Sequence, residues 1–441
     1  MRGFGNIQGI FAREMHISKV ADAMGMNPLE YRLKNMHRPG DMVMVEFETI
    51  EMPLDPTGAE ECLRQGAAAI GWDRWTHPSA KTGRVRRGLG LYASKLLSGR
   101  GTSNGLVWID RLGKVHVPIS TGNVGTESHT GIAAVAAETL GMPIDQLDVT
   151  WGDTTKGPWD FTSDDSRSSH CVGKAVYNAS IDLIRELRHA ASPVLRVSED
   201  LLEVREGRVT VRGTKRSIDF RTLAQRATPR TEFIPYCDPV NDISPDFDDQ
   251  GNLIMSPPVR VRKETEVLAR KLAQGGIVGL GMYIFNERTV PWGAAFADVE
   301  VDMSTGQVKV LKIVTVMNAG RVLYHRGAEA QLRGGTEIGA GFALMEDLGI
   351  DPATGVPIYN NLHEYHPMTV LDFPEIVPIL VEVPSVAGPY GAMGLGDNCC
   401  FPPPAAIGTA VHNATGVWME ELPLTLDRVY SALKAAGRLV A

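Results

Sequence analysis

The stretch 387–416, AGPYGAMGLGDNCCFPPPAAIGTAVHNATG, constrains this chain more than any other. Gly391, Gly394 and Gly396 let the backbone pass close to a neighbour with no Cβ in the way. One carboxylate, Asp397, ends that run. Pro402, Pro403 and Pro404 then hold φ near its helical value, and 405–413 reads as a helix whose first turn carries the prolines, where a missing N–H costs least. A tight glycine turn that presents one acid beside a helix N-terminus suits an anion or a reacting group. The same residues also read as a plain strand-to-helix connection with Asp397 solvated.

Upstream, periodicity predicts a helix over 7–24 that closes at Gly25. A second starts from Asn27-Pro28, with Asn27 as N-cap and Pro28 at the first helical position, and ends before Pro39. A third covers 59–71. From Arg87 the pattern becomes strand-like, with runs at 88–97, 106–110 and 115–120 and a turn at Leu112-Gly113, read as one hairpin-rich sheet. The turn 122–130, GNVGTESHT, leads into an alanine-rich helix at 131–140. The hydroxyl-rich turn 162–169 leads likewise into a helix at 173–190. Glycines and hydroxyls ahead of a helix set unpaired N–H groups beside polar side chains, a form that can hold an oxyanion or a phosphate. Taken singly, each reads first as ordinary capping. Two such turns in one chain are expected to form two walls of one polar pocket.

Further along, 147–151 is a short strand and 201–211 a hairpin turning at Glu206-Gly207. The stretch 228–258, rich in Pro, Asp and Asn, reads as a long ordered loop or subunit contact. Strands at 279–286, 294–301 and 307–317 precede a helix at 331–345. Its glycines at 334, 335, 339 and 341 suggest close approach of a backbone or a ligand. A strand at 377–383 feeds the glycine turn, and a helix at 424–436 closes the chain. Strands and helices alternate without strict βαβ order, which points to an α+β fold.

A net charge of −8 without a basic run argues against a nucleic-acid surface. No apolar run reaches about 18 residues, so no membrane span is expected. Arg2-Gly3-Phe4-Gly5 is not followed by the apolar core of a signal peptide, and a cytoplasmic location is the expectation. Five cysteines form no CxxC, which excludes a zinc ribbon or a cysteine-ligated cluster built from this chain; Cys399 and Cys400 read as packing. The chain opens on a loop-like RGFGN and a helix, as the second half of a larger unit would.

Six blocks in order carry a resemblance: RGFGNIQGIFAREMHISKVADAMGMNPLEYRLKNM, GNVGTESHT, DDSRSSHCVGKAVYNA, VDMSTGQVKVLKIVTVMNAGR, QLRGGTEIGAGFALMED and GAMGLGDN…PPPAAIGTAV. Together they resemble the C-terminal part of the molybdenum-binding subunit of the xanthine dehydrogenase/aldehyde oxidase family. The resemblance implies an α+β fold of the molybdopterin-binding type. Its expected division is a helical segment 1–85, a first molybdopterin-binding lobe 86–275, and a second lobe 276–441 with the active-site acid. It implies molybdenum held by a molybdopterin and not by the protein, often as molybdopterin cytosine dinucleotide in bacterial members. It also implies a companion chain with the family's N-terminal half, and iron–sulfur and flavin subunits bearing [2Fe-2S] clusters and FAD.

By position, Arg2 and Gly3 match the loop beside the molybdopterin, and Phe4 an aromatic that packs on planar substrates. Gly125, Thr126 and Glu127 fall in one cofactor loop, and Asp165, Ser166, Arg167, Ser168 and Ser169 in another. Gly396 and Asp397 match the family's GxGE, whose glutamate serves relatives as a general base in oxidising an electron-poor carbon with water as the oxygen source. Three departures stand out. Gly125-Thr126-Glu127 replaces a GQG, Ile338 stands at a cofactor-binding glutamine position, and Asp397 is one methylene shorter than the usual acid. The implied activity is oxidation of an aromatic heterocycle or an aldehyde. Beside it stand a reductive dehydroxylation with Asp397 as acid, and a non-catalytic half that completes a partner's cofactor pocket. His129 reads as a cap neighbour or a phosphate contact, and His412 as packing.

Overall fold

The computed structural model describes residues 2–45, 50–54, 56–95, 98–99, 101–237, 246–247, 253–254, 261–284 and 290–440. The chain begins with α1 (Asn6–Ala23), α2 (Pro28–Asn35), β1 (Met42–Val45), β2 (Ile50–Pro53) and α3 (Ala59–Ile70). It continues through β3 (Val85–Lys95), β4 (Ser103–Asp110), β5 (Val115–Ile119), α4 (Ser128–Leu140), β6 (Leu147–Trp151) and α5 (Gly173–Leu195). Then come β7 (Leu202–Arg205), β8 (Arg208–Val211), β9 (Ser217–Asp219), α6 (Phe220–Arg226), β10 (Asp246–Phe247), β11 (Leu253–Ile254) and α7 (Lys263–Ala273). Last are β12 (Gly276–Tyr283), β13 (Trp292–Asp302), β14 (Val308–Asn318), α8 (His325–Leu344), β15 (Glu375–Val381), α9 (Pro402–Thr415) and α10 (Leu426–Ala435).

These elements make an α+β fold with two similar lobes. One sheet has the order β12-β4-β5-β6, the other β15-β14-β13-β3. In the first, β5 and β6 are parallel and joined through α4; in the second, β14 and β15 are parallel and joined through α8. Parallel neighbours require such a crossover, and a helix supplies it. Each lobe therefore runs strand, strand, helix, strand, helix: β4-β5-α4-β6-α5, then β13-β14-α8-β15-α9.

The fourth strand of each sheet comes from ahead of the other lobe. β3 precedes β4 yet pairs along its whole length with β13, from Val85 opposite Asp302 to Lys95 opposite Trp292. β12 precedes β13 yet pairs with β4, from Gly276 opposite Asp110 to Tyr283 opposite Ser103. The pairing thus crosses the expected boundaries at 86 and 276, and 88–97 is no hairpin partner of 106–110. Neighbours in sequence pair by default, but the link between β3 and β4 carries the chain from one sheet to the other. The segment 1–85 is also more than helical, since β1 and β2 form a small antiparallel ribbon. Most of the expected loop or contact at 228–258 falls on 238–260, which, apart from β10 and β11, lies outside the described residues.

Helices α5 and α9 lie directly on sheet backbone. A Cβ on Gly281 would come within 2.2 Å of the Ala179 nitrogen, and one on Gly90 within 2.1 Å of the Ala410 nitrogen. The two lobes use the same device, so Gly90→Ala is expected to overpack the second lobe and destabilise it by about 1–3 kcal/mol. A denaturation midpoint equal to that of the native chain would show that α9 yields instead. Helix α1 packs Ile7, Ile10, Phe11 and Met15 into the core that contains Phe401, Ala406, Ile407 and Val411. That packing brings the N-terminal loop to the start of α9. Among the described residues no helix is long and apolar enough to cross a membrane.

Candidate functional site

A cavity of about 240 Å³ opens between the lobes, and each lobe lines it with the lead-ins of two helices. The crossover helices come first: Thr126, Glu127 and Ser128 start α4, and Tyr324, Gly327 and Gln331 start α8. A crossover helix begins at the carboxyl end of its parallel strand, where open α/β sheets hold their ligands. Neither α4 nor α8 has a side-chain cap, so their first-turn N–H groups gain no acceptor from a capping residue. The turns ahead of α5 and α9 supply the other two walls, Ser163–Ser169 from one lobe and Met393–Asp397 from the other.

The acid-bearing turn is fitted against the hydroxyl-rich turn. The Asp397 N–H donates to Ser166 Oγ at 2.9 Å. Gly394 passes so close that a Cβ there would meet the Ser166 carbonyl oxygen at 1.6 Å. Asp165 and Ser166 both sit at positive φ, 50° and 53°, a region few non-glycine residues adopt. Ser163 Oγ and Ser168 Oγ are 3.2 Å apart, and Thr126 Oγ1 donates to Ser128 Oγ at 3.2 Å. Gln331 Nε2 donates to the Gly125 carbonyl at 2.9 Å, tying the α8 wall to the α4 wall. The N-terminal loop closes one side: Arg2 Nη2 donates to the Gly396 carbonyl, and Gly3 packs against the Phe401 ring. Phe4 lines the cavity with 69% of its surface exposed, enough to cover a planar group.

Burial pushes the Asp397 carboxyl above its usual range; Arg2 opposes that shift and Asp164 adds to it. Ionising Asp397 therefore costs more in the folded chain than in the unfolded one. Its favourable contribution is complete at low pH and is lost as pH rises through the raised pKa. Asp397→Asn is expected to raise the melting temperature at pH 7, with the gap closing below about pH 4, where both states hold the proton. Equal melting temperatures at pH 7 would remove that electrostatic penalty.

The cavity gathers most of the residues expected from sequence: Gly3, Phe4, Thr126, Glu127, Asp165, Ser166, Arg167, Ser168, Ser169, Gly396 and Asp397 line it. Arg2 and Gly125 join it through the hydrogen bonds above. Two residues stand differently. Arg167 is fully buried, and its guanidinium donates to both Asp160 oxygens at 2.9 and 3.0 Å and to the Thr162 carbonyl at 2.6 Å. It braces the loop. Ile338 is absent from the cavity wall and 39% exposed, about two turns beyond Gln331 along α8.

The α8 wall itself went unread. Helix periodicity placed that helix at 331–345, but it starts at His325, and Arg321, Tyr324 and Gln331 reach the cavity. Gln331 heads the glycine-rich helix pattern and Arg321 closes the block VDMSTGQVKVLKIVTVMNAGR, and those were the available signals; Tyr324 carries none. His129 stacks on Trp151 at 4.2 Å and does not line the cavity. His412 stacks on Trp418 at 3.5 Å, with burial pushing its pKa down to about 4. Cys399 and Cys400 are buried thiols pushed up to about 12, again by burial.

Comparison with known proteins gives this cavity a context. A family profile described as "Molybdopterin cofactor-binding domain" matches residues 65–374, and a second profile with the same description matches residues 1–36. The xanthine dehydrogenase molybdenum-binding subunit of Escherichia coli O157:H7 is 27% identical over 99% of this chain and 54% of its own length. The aldehyde oxidoreductase molybdenum-binding subunit PaoC of the same organism is 27% identical over 98% of this chain and 52% of its own. This chain thus spans about half the length of the curated relatives it matches. Among solved structures, Cu,Mo-CO dehydrogenase superposes with a TM-score of 0.77 at 19% identity, over 99% of this chain and 53% of that one. Quinoline 2-oxidoreductase from Pseudomonas putida 86 does so at 0.74 and 21%, over 97% and 52%. Those two likenesses speak to the fold. The profiles cover residues 1–36 and 65–374, ending just ahead of β15, and this chain belongs to the molybdopterin cofactor-binding domain family.

Proposed function

We propose that the chain is the molybdopterin-binding catalytic component of a multi-subunit molybdenum hydroxylase that oxidises an aromatic heterocycle or an aldehyde with water as the oxygen source. The observation that carries this reading is the convergence of four helix lead-ins, the Arg2-Gly3-Phe4 loop and the Asp397 carboxyl on one cavity. The wall fits such a cofactor. Uncapped helix starts and serine hydroxyls suit its phosphate, and Arg2 and Arg321 set positive charge against the Glu127, Asp164 and Asp165 carboxylates that line the same cavity. On this reading the metal is held by the pterin and not by side chains of this chain. When bound, the pterin and its molybdenum supply the redox chemistry that side chains lack.

The protein's own part is positional and acid–base. Thr126, Ser128, Ser166, Ser168 and Ser169 would hold the cofactor's polar edge, and Phe4 would cover a planar substrate. Asp397 Oδ would accept the proton released as water oxygen adds to the electron-poor carbon, which requires hydrogen-bond reach directly or through one water. With a base in that role, the rate rises with pH and levels off above the ordinary carboxylate range, because the Asp397 pKa is raised. The same raised pKa favours a second reading, reductive dehydroxylation of an aromatic with Asp397 as proton donor. In that case the rate falls as pH passes the same value.

At about 240 Å³ the cavity is smaller than the roughly 300–1,000 Å³ of pockets that enclose a drug-sized ligand. That leaves room for a companion chain as the opposite wall, and the same family reading puts [2Fe-2S] clusters and FAD on further subunits and a cytosine-dinucleotide tail on the pterin. Metal and pterin analysis of the chain purified alone and with its companion tests this. Molybdenum is expected only in the assembled form, and full occupancy in the isolated chain would overturn the shared-pocket reading.

A further inference from the structure

A second cavity, of about 460 Å³, lies where α1 and α2 meet the end of β3, and it shares no wall residue with the first. Its volume falls within the roughly 300–1,000 Å³ of pockets that enclose a small ligand. Helical spacing sets two of its walls. Arg13, Glu14 and Ile17 stand on one face of α1, and Tyr31, Arg32 and Asn35 on one face of α2. Lys95 ends β3 directly opposite Trp292 of β13, so the lysine stem and the indole project from the same face of the sheet. Met36 and Leu54 add apolar surface, and Thr57 and Ser94 add hydroxyls.

Charge is unbalanced there. Arg13, Arg32 and Lys95 set three cations against one carboxylate, Glu14. That carboxylate is already shared. Its Oε2 accepts from Arg32 Nη2 at 3.0 Å and from the Ala93 N–H at 3.3 Å, and its Oε1 stands 3.4 Å from Arg13 Nε. Lys95 meets no carboxylate among the described residues, and burial, with the Arg13 charge added, pushes its pKa below the usual lysine value. His37, on the rim, is 3.9 Å from Asp41, which does not line the cavity. Arg32 is 7% exposed, and its buried Nε–H has no acceptor among the described residues. Native chains rarely leave such a donor unpaired. Surplus cations set against an apolar and aromatic wall suit an anion with a hydrophobic body.

We propose that this cavity binds a planar organic carboxylate, its anionic head between Lys95 and Arg13 and its ring along Trp292. The proposal does not depend on the cofactor reading. A bound carboxylate offsets the surplus positive charge and favours the protonated form of Lys95. Arg13, with half of its side chain exposed, keeps donors beyond those it gives to Ser94 Oγ and turns toward Glu14. Trp292 offers the ring a face that a bare inorganic anion cannot use.

The probe is 2-naphthoate, titrated calorimetrically into the full chain, with 2-naphthamide as its neutral counterpart. Naphthoate is expected to bind with a Kd below about 1 mM. Loss of the charge should weaken the amide by about tenfold or more. Lys95→Met keeps the stem and removes the ammonium, and Arg13→Gln removes the guanidinium; each is expected to weaken naphthoate by about tenfold or more while the melting temperature holds. Phe4→Ala, in the first cavity, should leave the affinity at its native value. A loss of affinity in Phe4→Ala would place the probe in the first cavity and overturn the proposal. So would absence of binding, equal affinity for the amide, native affinity in both Lys95→Met and Arg13→Gln, or displacement of naphthoate by an equal concentration of inorganic phosphate.

Discussion

Asp397→Asn is expected to lower turnover of the assembled enzyme by about 10²–10⁴-fold, the range that a positioned acid–base group contributes. Molybdenum and pterin content should stay at the native level. Asn has the size of Asp and keeps the backbone N–H that Ser166 Oγ holds at 2.9 Å, so the turn and the cavity wall are retained while the proton acceptor is lost. Steady-state rates beside metal analysis of the same preparation read the two effects separately. Unchanged rates would remove Asp397 from the chemistry. A parallel fall in rate and metal would make the turn a binding element instead. Asp397→Ala tests the same point with the carboxylate deleted outright.

Arg32→Met is expected to destabilise the chain by about 3–5 kcal/mol, the cost of leaving a buried charge without its partner. Arg32 on α2 and Glu14 on α1 are 6% and 1% exposed, and Arg32 Nη2 reaches Glu14 Oε2 and Ser18 Oγ, each at 3.0 Å. Glu14 Oε2 also accepts from the Ala93 N–H of β3 at 3.3 Å, so this one carboxylate ties α1, α2 and a sheet together. Met fills the space of Arg but strands Glu14. The denaturant midpoint measures the loss, and Glu14→Gln added to Arg32→Met should recover much of it, because the neutral amide keeps an acceptor for the Ala93 N–H and leaves no buried charge. A small loss from the single change would mean that Arg13, 3.4 Å from Glu14 Oε1, takes over the charge. Since α1 carries the Arg2-Gly3-Phe4 loop, weakening its seat should also loosen the Phe4 side of the cavity.

Much of the local structure was legible in the residues. The helix after three prolines, the Asn27 cap, the hairpin at Glu206-Gly207 and the two hydroxyl-rich helix starts follow from propensity and from the supply of unpaired N–H groups, which act over a few residues. The helix predicted at 173–190 extends further: α5 runs to Leu195, and a wider π turn, Ser168–Val172, sits ahead of it. Packing along a whole sheet decided those ends, beyond the reach of a local pattern.

By itself the sequence determined which segments are helix or strand, which turns are rich in donors, and, through six ordered motifs, the family. Only the tertiary structure decided that β3 and β12 change sheets, that α8 brings Arg321, Tyr324 and Gln331 to the cavity, and that Arg167 turns inward to Asp160 while Ile338 stays away. The physical reason is one of range. Caps, turns and periodicity are set by neighbours three or four residues apart, whereas strand exchange and the direction of a buried guanidinium depend on which distant backbones come within hydrogen-bond reach, and no local pattern encodes that.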